Sequence, residues 1–160
     1  MNVRESFREG ANFGLTSGVI TTLGLMVGLH SGTHSTAVII GAIITIAIAD
    51  ALSDALGIHV HEESENVHTV EQIWAATLAA FLSKLLVVGS FLVPVLTLQL
   101  TQAIMVSLVW GGLVLAVLSY LLARDQGKHP GKVIAEHFLI AGLVVSITHT
   151  VGNWVGQTFQ

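Results

Sequence analysis

The sequence predicts an all-α membrane protein with five transmembrane helices, the second of which extends into the cytoplasm. The chain of 160 residues is 52% hydrophobic and only 10% charged, whereas soluble domains carry about 25% charged residues. The charged residues fall in short clusters between apolar runs, and about 20 apolar helical residues cross a hydrocarbon core of about 30 Å. This composition excludes an ordinary water-soluble fold, and it also excludes a disordered chain.

Five segments have the length and apolar character of a membrane span. Two connections between them are short, one at His30–Ser35 and one at Thr97–Thr101. The longest polar stretch, Ile58–Glu71, is too short to fold alone. We therefore expect one transmembrane domain over residues 1–160, with no separate soluble metal-binding domain. A signal peptide is a poorer account of the first segment, which lacks a small-x-small cleavage site. The predicted spans are about 12–29, 35–57, 73–98, 101–122 and 133–155.

The basic residues predict the orientation of the helices. Arg4 and Arg8 precede the first span, and Arg124, Lys128 and Lys132 lie between the fourth and the fifth. The loops on the opposite side contain no Lys or Arg. The positive-inside rule then places the N-terminus in the cytoplasm, and five crossings place the C-terminus outside. The net charge of −4 gives no positive patch for nucleic acid, so we expect no binding to nucleic acid. The apolar spans make the lipid bilayer the expected surrounding.

Glycines give the first span one smooth face. Gly10, Gly14, Gly24 and Gly28 fall within about 40° of one line on a helical projection, and Ser17 lies on the same side. In lipid no hydrophobic force drives helices together, so small residues that permit close backbone contact carry the association. The pattern favours either packing within one bundle or a homodimer formed across the first helix, and the sequence leaves both open.

Three ionisable residues lie within the predicted spans, where a charge is costly and usually has a function. Asp50 and Asp54 are four residues apart on the second span, so their carboxylates share one helix face. Lys84 is the only Lys or Arg at this depth. It can form a structural ion pair with one aspartate, or it can compete with a metal ion or a proton for the same oxygens. Both alternatives stay open.

A continuation of the second helix would add further metal ligands to the aspartates. Helical rotation places His61, Glu65 and His68 within about 60° of Asp50. Carboxylate and imidazole ligands, in a chain without cysteine, favour Fe(II), Mn(II) or similar ions. A solvated polar turn is the alternative for the part of this set beyond the membrane. The predicted metal ligands are Asp50, Asp54, His61, Glu65 and His68.

Several other residues have predicted supporting roles. Glu62 and Glu63 add negative charge that would concentrate cations at the cytoplasmic end. Ser17 can add a neutral oxygen beside the aspartates at a dimer axis. Glu136, which opens the fifth span, is expected to pair with Lys132 rather than to assist the approach of an ion. No spacing of a nucleophile and a base stands out, so we do not expect an enzyme.

Four segments, in matching order, resemble the vacuolar iron transporter family. FGLTSGVITTLGLMVGL at Phe13–Leu29 is similar to the family's opening helix, and ALSDALGIHVHEESE at Ala51–Glu65 is similar to a stretch of its second helix. AATLAAFLSKLLVVGSFLVPVL at Ala75–Leu96 resembles its third helix, which ends in proline. AGLVVSITHTVGNWVG at Ala141–Gly156 resembles its closing helix. The likeness covers nearly the whole chain.

The resemblance implies a dimeric five-helix protein that moves Fe(II) or Mn(II) out of the cytosol, with proton coupling as an open question. The chain departs from the family pattern at three positions. The family's first-helix aspartate corresponds to Ser17, its second-helix methionine to Asp54, and its following glutamate to Ile58. We therefore expect a homodimeric transporter of divalent iron or manganese, with the metal as cargo and no resident cofactor. The alternative is a non-transporting scaffold of the same fold, in which Lys84 is paired with Asp50 or Asp54.

Overall fold

The structure is a computed structural model that describes residues 2–159, and over this range it consists of helices joined by short turns. The helices are α1 (Val3–Thr33), α2 (Thr36–Ser64), α3 (Val70–Ser90), α4 (Leu92–Thr97), α5 (Leu100–Asp125) and α6 (Pro130–Phe159). Together α3 and α4 form one span, so the described residues contain five helices long and apolar enough to cross a membrane. The prediction of an all-α protein with five spans is confirmed, and these helices indicate an integral membrane protein.

Most helix ends lie further out than the ends of the predicted apolar segments. α1 has 31 residues and α2 has 29, whereas about 20 suffice to cross the hydrocarbon core. At the start of α1 the Asn2 N–H donates to Glu5 Oε2 at 2.8 Å, and the Glu5 N–H donates to Asn2 Oδ1 at 3.0 Å. This reciprocal pair satisfies backbone donors that a helix end leaves free. Polar caps of this kind extend a helix beyond its apolar core.

α2 ends earlier than the predicted stripe of ligands requires. Its last residue is Ser64, and Asn66 follows with a φ of 54° in the left-handed region, where asparagine commonly ends helices. The Asn66 Nδ2 donates to the Ser64 carbonyl at 3.1 Å. The expectation that Glu65 and His68 continue along the helix is therefore wrong, because both lie in the turn before α3.

The third span contains one interruption. Only Phe91 separates α3 from α4, and its side chain is fully buried. Pro94 explains the break, because it has no N–H to donate to the carbonyl of Ser90. Leu98 and Gln99 then join α4 to α5 in an extended conformation, which confirms the short connection that the sequence predicted here.

Contacts between residues divide the chain into two compact units. Unit 1 contains α1 as far as Gly18 together with Ile44–Ser90. Unit 2 contains Val19–Ile43 together with the chain from Phe91 onward. The single transmembrane domain expected from the sequence stays a prediction.

In unit 1 the first half of α1 packs tightly against α3. A Cβ built on Gly10 would overlap the backbone of Ala76, and a Cβ built on Gly14 would overlap the backbone of Ala80. Both alanines are fully buried. The two backbones therefore approach each other as closely as small residues allow, which is how helices gain contact energy in lipid.

In unit 2 the second half of α1 packs in the same way against α6. A Cβ on Gly28 would lie 3.2 Å from the Thr148 carbonyl, and a Cβ on Gly24 would lie 2.7 Å from Val144. Ser31 Oγ donates to the carbonyl of His149 at 3.1 Å. The four glycines predicted for dimer packing, Gly10, Gly14, Gly24 and Gly28, thus contact α3 or α6 of their own chain. Packing within one chain is the first of the two alternatives, and the homodimer stays a prediction.

Candidate cation site

A lysine and two aspartates meet inside unit 1. The Nζ of Lys84 lies 2.5 Å from Oδ2 of Asp50 and 2.5 Å from Oδ2 of Asp54. The lysine side chain is fully buried, while the side chains of Asp50 and Asp54 are 32% and 17% exposed. A charge in a membrane span needs a partner. The sequence predicted pairing with one aspartate, but the lysine contacts both.

The two aspartates hold the ammonium differently. Nζ donates hydrogen bonds to Asp54 Oδ2 at 2.5 Å and to Ser17 Oγ at 3.0 Å. The Oδ2 of Asp50 lies at ion-pair distance, but its direction does not allow a hydrogen bond, and this buried oxygen has no other hydrogen-bond partner. Asp54 is therefore held by charge and by a directed hydrogen bond, whereas Asp50 is held by charge alone.

The charges of this cluster do not cancel. Two carboxylates and one ammonium leave a net charge of −1 when all three are ionised. The oxygens that contact Lys84 are the ones that a divalent ion would need, since hard cations bind carboxylate oxygen. A metal ion can therefore bind both aspartates only if the ammonium moves away. Ser17, predicted as a neutral ligand, accepts a hydrogen bond from this ammonium instead.

A second group of acidic and imidazole side chains surrounds a cavity of about 310 Å³ at the end of α2, within unit 1. The Nε2 of His68 lies 2.9 Å from Glu65 Oε2 and 3.6 Å from Glu62 Oε2. The Nε2 of His61 lies 3.5 Å from Glu65 Oε1. The turn at Asn66 thus brings His68 back to the glutamates, although it does not lie on the helix. The side chains that line this acidic cavity are Glu9, Ile58, His61, Glu62, Glu65 and His68.

Glu62 is the buried carboxylate of the acidic cavity. Its side chain is only 8% exposed, and its Oε2 has no hydrogen-bond partner. His68 Nε2, 3.6 Å away, is within ion-pair distance but too far for a hydrogen bond. Burial of a carboxylate oxygen without a hydrogen bond is costly, so this oxygen favours a cation or a closer proton donor in the cavity. The neighbouring Glu63 is exposed.

The predicted set of five metal ligands is divided between two places. Asp54 and His61 are separated by about 10 Å along the axis of α2, from seven residues of helical rise. Lys84 occupies the space between the two aspartates. Among residues 2–159, no three His, Cys, Asp or Glu side chains are arranged to hold one metal ion. Neither cluster is a preformed metal centre, so metal binding requires side chains to move.

Glu9 and His59 are two polar residues of unit 1 that the sequence did not single out. Glu9 lines the acidic cavity from α1, and the neighbouring Gly10, which brings this turn against α3, was the available signal. His59 Nδ1 lies 3.0 Å from Thr77 Oγ1. The Thr77 hydroxyl already donates to the Ile73 carbonyl at 2.7 Å, so the imidazole is the donor between His59 and Thr77.

Glu136 belongs to unit 2. It lines a pocket of unit 2 together with Lys132, the residue with which the sequence predicted it to pair. Its predicted role in assisting the approach of an ion stays a prediction.

Comparison of the chain with protein-family models, with curated proteins and with solved structures finds no match. The resemblance to the vacuolar iron transporter family therefore depends on the sequence segments alone and stays a prediction.

Proposed function

We propose that the protein is a homodimeric transporter that moves divalent iron or manganese out of the cytosol, with Asp50 and Asp54 as its intramembrane binding groups. One observation carries this proposal. Two carboxylates on one face of a membrane-length helix meet a single buried ammonium, which leaves an excess negative charge. An excess charge at this depth attracts a cation and is rarely kept without a function.

In this proposal Lys84 competes with the transported ion. Without metal, its ammonium neutralises one negative charge of the pair. An arriving divalent ion binds Asp50 first, because this carboxylate is the more exposed and is not hydrogen-bonded to the lysine. The ion then displaces the ammonium from Asp54, while Ser17 remains as a partner for Nζ. Return of the ammonium to both carboxylates expels the ion and resets the site.

The acidic cavity serves as the place where cations collect before they reach the aspartates. Its carboxylates raise the local cation concentration, and the Glu62 oxygen that accepts no hydrogen bond supplies a binding group. The basic residues of the sequence predict that this end of α2 faces the cytoplasm, so the proposed direction of transport is out of the cytosol.

Metal flux into proteoliposomes tests the transport proposal. The purified chain is expected to give saturable Mn(II) uptake, and the double variant Asp50→Asn, Asp54→Asn is expected to give none. Glu63→Gln, which removes an exposed carboxylate that does not line the acidic cavity, is the control and is expected to keep saturable uptake, with at most a small rise in KM from the lost surface charge. Absence of saturable uptake by the wild type, or full uptake by the double variant, refutes the proposal.

A non-transporting membrane scaffold is the second candidate, because Lys84 is fully buried and contacts Asp50, Asp54 and Ser17 together. In a scaffold this cluster is purely structural and added metal does not bind. A ligand that binds only the native state stabilises it by about 2.7 kcal/mol at 100 times its Kd. Thermal unfolding with and without Mn(II) separates the two functions, since only the transporter gains stability.

A further inference from the structure

A polar pocket of about 530 Å³ lies where α5 ends and α6 begins, and residues of unit 2 alone line it. The transport proposal does not use this pocket. Its walls combine two lysines, one glutamate, two histidines and one glutamine with two apolar side chains. Such a mixture of charges beside a membrane-length helix is a candidate site for a charged ligand.

The lysines give one side of the pocket a positive charge. Lys128 and Lys132 are both exposed, so they can reach a ligand from water or from the membrane surface. The turn before α6 is held by a hydrogen bond from the Lys128 N–H to the Ala123 carbonyl at 2.9 Å. Gly127 adopts the left-handed φ of 63° that this turn requires. α6 starts at Pro130 between the two lysines, and the positive end of its dipole adds to their attraction for an anion.

Hydrogen-bond acceptors line the same pocket. The Ser119 hydroxyl donates to the Leu115 carbonyl at 2.6 Å. Its 2.7 Å contact with His137 Nδ1 therefore uses the imidazole N–H as the donor. A neutral His137 then keeps Nε2 as a free acceptor, and Glu136 adds a carboxylate.

We propose that this pocket binds the headgroup of an anionic phospholipid whose headgroup also carries hydroxyl groups, of the phosphatidylglycerol type. The phosphate lies between Lys128 and Lys132, and a headgroup hydroxyl donates to Glu136 or His137. Two lysines and one glutamate have a net charge of +1, which matches the single negative charge of this lipid. Phosphatidylcholine is neutral overall and has no donor for the acceptors.

The surroundings of the pocket favour a lipid over a soluble phosphate ester. Leu122 and Val133 provide an apolar wall against which a glycerol backbone or the start of an acyl chain can pack. The positive-inside rule places this turn at the cytoplasmic leaflet. Basic pockets between transmembrane helices on this side commonly bind anionic headgroups.

Thermal unfolding of the purified full chain in a neutral detergent tests the proposal. Added phosphatidylglycerol is expected to raise the Tm of the wild type several degrees more than phosphatidylcholine does. The double variant Lys128→Gln, Lys132→Gln is expected to lose most of this difference, while its response to phosphatidylcholine is unchanged and shows that it is folded. Arg4→Gln removes a basic residue at the other end of the chain and is expected to keep the difference.

Two further arms identify the source and the chemistry of the ligand. Glycerophosphoglycerol, the singly charged phosphodiester that has the headgroup of phosphatidylglycerol without acyl chains, is expected to give little shift, and a shift equal to that of the lipid overturns the assignment to a phospholipid. Glu136→Gln is expected to narrow the preference for phosphatidylglycerol over phosphatidic acid, which lacks the glycerol hydroxyls. Equal shifts from phosphatidylglycerol and phosphatidylcholine, or an unaffected double-lysine variant, overturn the proposal.

Discussion

The Nζ of Lys84 lies 2.5 Å from Oδ2 of Asp54, and this contact joins α3 to α2 inside unit 1. The lysine is fully buried, whereas the aspartate keeps 17% of its side chain exposed. The contact therefore has two consequences. It compensates a charge that the membrane span would not tolerate alone, and it occupies an oxygen that an ion would need in the proposed transport.

Replacement of Lys84 by methionine is expected to destabilise the protein. Methionine fills a similar volume but leaves two carboxylates without their counter-charge, and loss of one partner of a buried ion pair costs about 3–5 kcal/mol. Because both aspartates are partly exposed, we expect a loss near the lower end of this range, about 3 kcal/mol. The measurement is thermal or denaturant unfolding in detergent.

A variant that removes all three charges, Lys84→Met with Asp50→Asn and Asp54→Asn, is the control and is expected to recover most of the lost stability. Added Mn(II) gives a further test on the single variant Lys84→Met. If the cluster is a cation site, removal of the competing ammonium increases the stabilisation by Mn(II) above that of the wild type. A lysine variant as stable as the wild type contradicts the structural role of the pair.

The two aspartates are expected to differ in their contribution to stability. Only Asp54 accepts a directed hydrogen bond from the ammonium, and hydrogen bonds to charged groups contribute about 1.5–3 kcal/mol. Asp54→Ala is therefore expected to cost about 2 kcal/mol. Asp50→Ala removes a more exposed carboxylate that accepts no hydrogen bond from the ammonium, and it leaves Asp54 to balance Lys84, so it is expected to cost less than Asp54→Ala. Unfolding of the two variants side by side measures this order. A larger loss for Asp50→Ala would show that Asp50, and not Asp54, is the main partner of the ammonium.

The sequence predicted the five spans because apolar length alone determines which segments cross a membrane. It did not predict where α2 ends, since the left-handed conformation of Asn66 depends on one local turn. This turn removed Glu65 and His68 from the predicted helix stripe, yet it placed His68 Nε2 2.9 Å from Glu65. The sequence thus predicted that His68 lies near Glu65, but it did so from helical spacing, whereas the turn at Asn66 is what brings them together.

The sequence also identified Asp50, Asp54 and Lys84 as the unusual charges, because intramembrane charges are rare whatever the fold. It could not tell that one ammonium contacts both carboxylates, since this depends on how α3 lies beside α2. The same holds for the glycine face of α1. The spacing of Gly10 and Gly14 indicates close contact with a small partner, but only the packed structure shows that the partner is α3 of the same chain.

Because Gly14 is closely packed against α3, the added methyl group of Gly14→Ala is expected to lower the stability of the protein. A Cβ at this position would overlap the Ala80 carbonyl and the Ser83 hydroxyl, and overpacking of this kind costs about 1–3 kcal/mol. Gly89→Ala is the matched control, because nothing lies within 4 Å of its added Cβ. Alanine has the higher helix propensity, so this control is expected to be neutral or stabilising by up to about 1 kcal/mol.

Unfolding in detergent measures both glycine variants, and light scattering reports their oligomeric state. Because the added methyl of Gly14→Ala meets atoms of the same chain, we expect a loss of stability without a change in molecular mass. A variant of full stability that changes only the mass would assign this glycine to an interface between chains.

Replacement of the buried Glu62 is expected to weaken Mn(II) binding without lowering the stability of the protein. Glu62→Gln removes a charge that has little solvent and no hydrogen bond at Oε2, so we expect stability to be unchanged or slightly raised. If the acidic cavity collects cations, the same substitution raises the KM for Mn(II) uptake several-fold and leaves kcat nearly unchanged. Glu63→Gln removes the same charge from an exposed position and is expected to change KM little. Initial rates in proteoliposomes over a range of Mn(II) concentrations measure both, and equal changes in KM would attribute the effect to general surface charge rather than to the cavity.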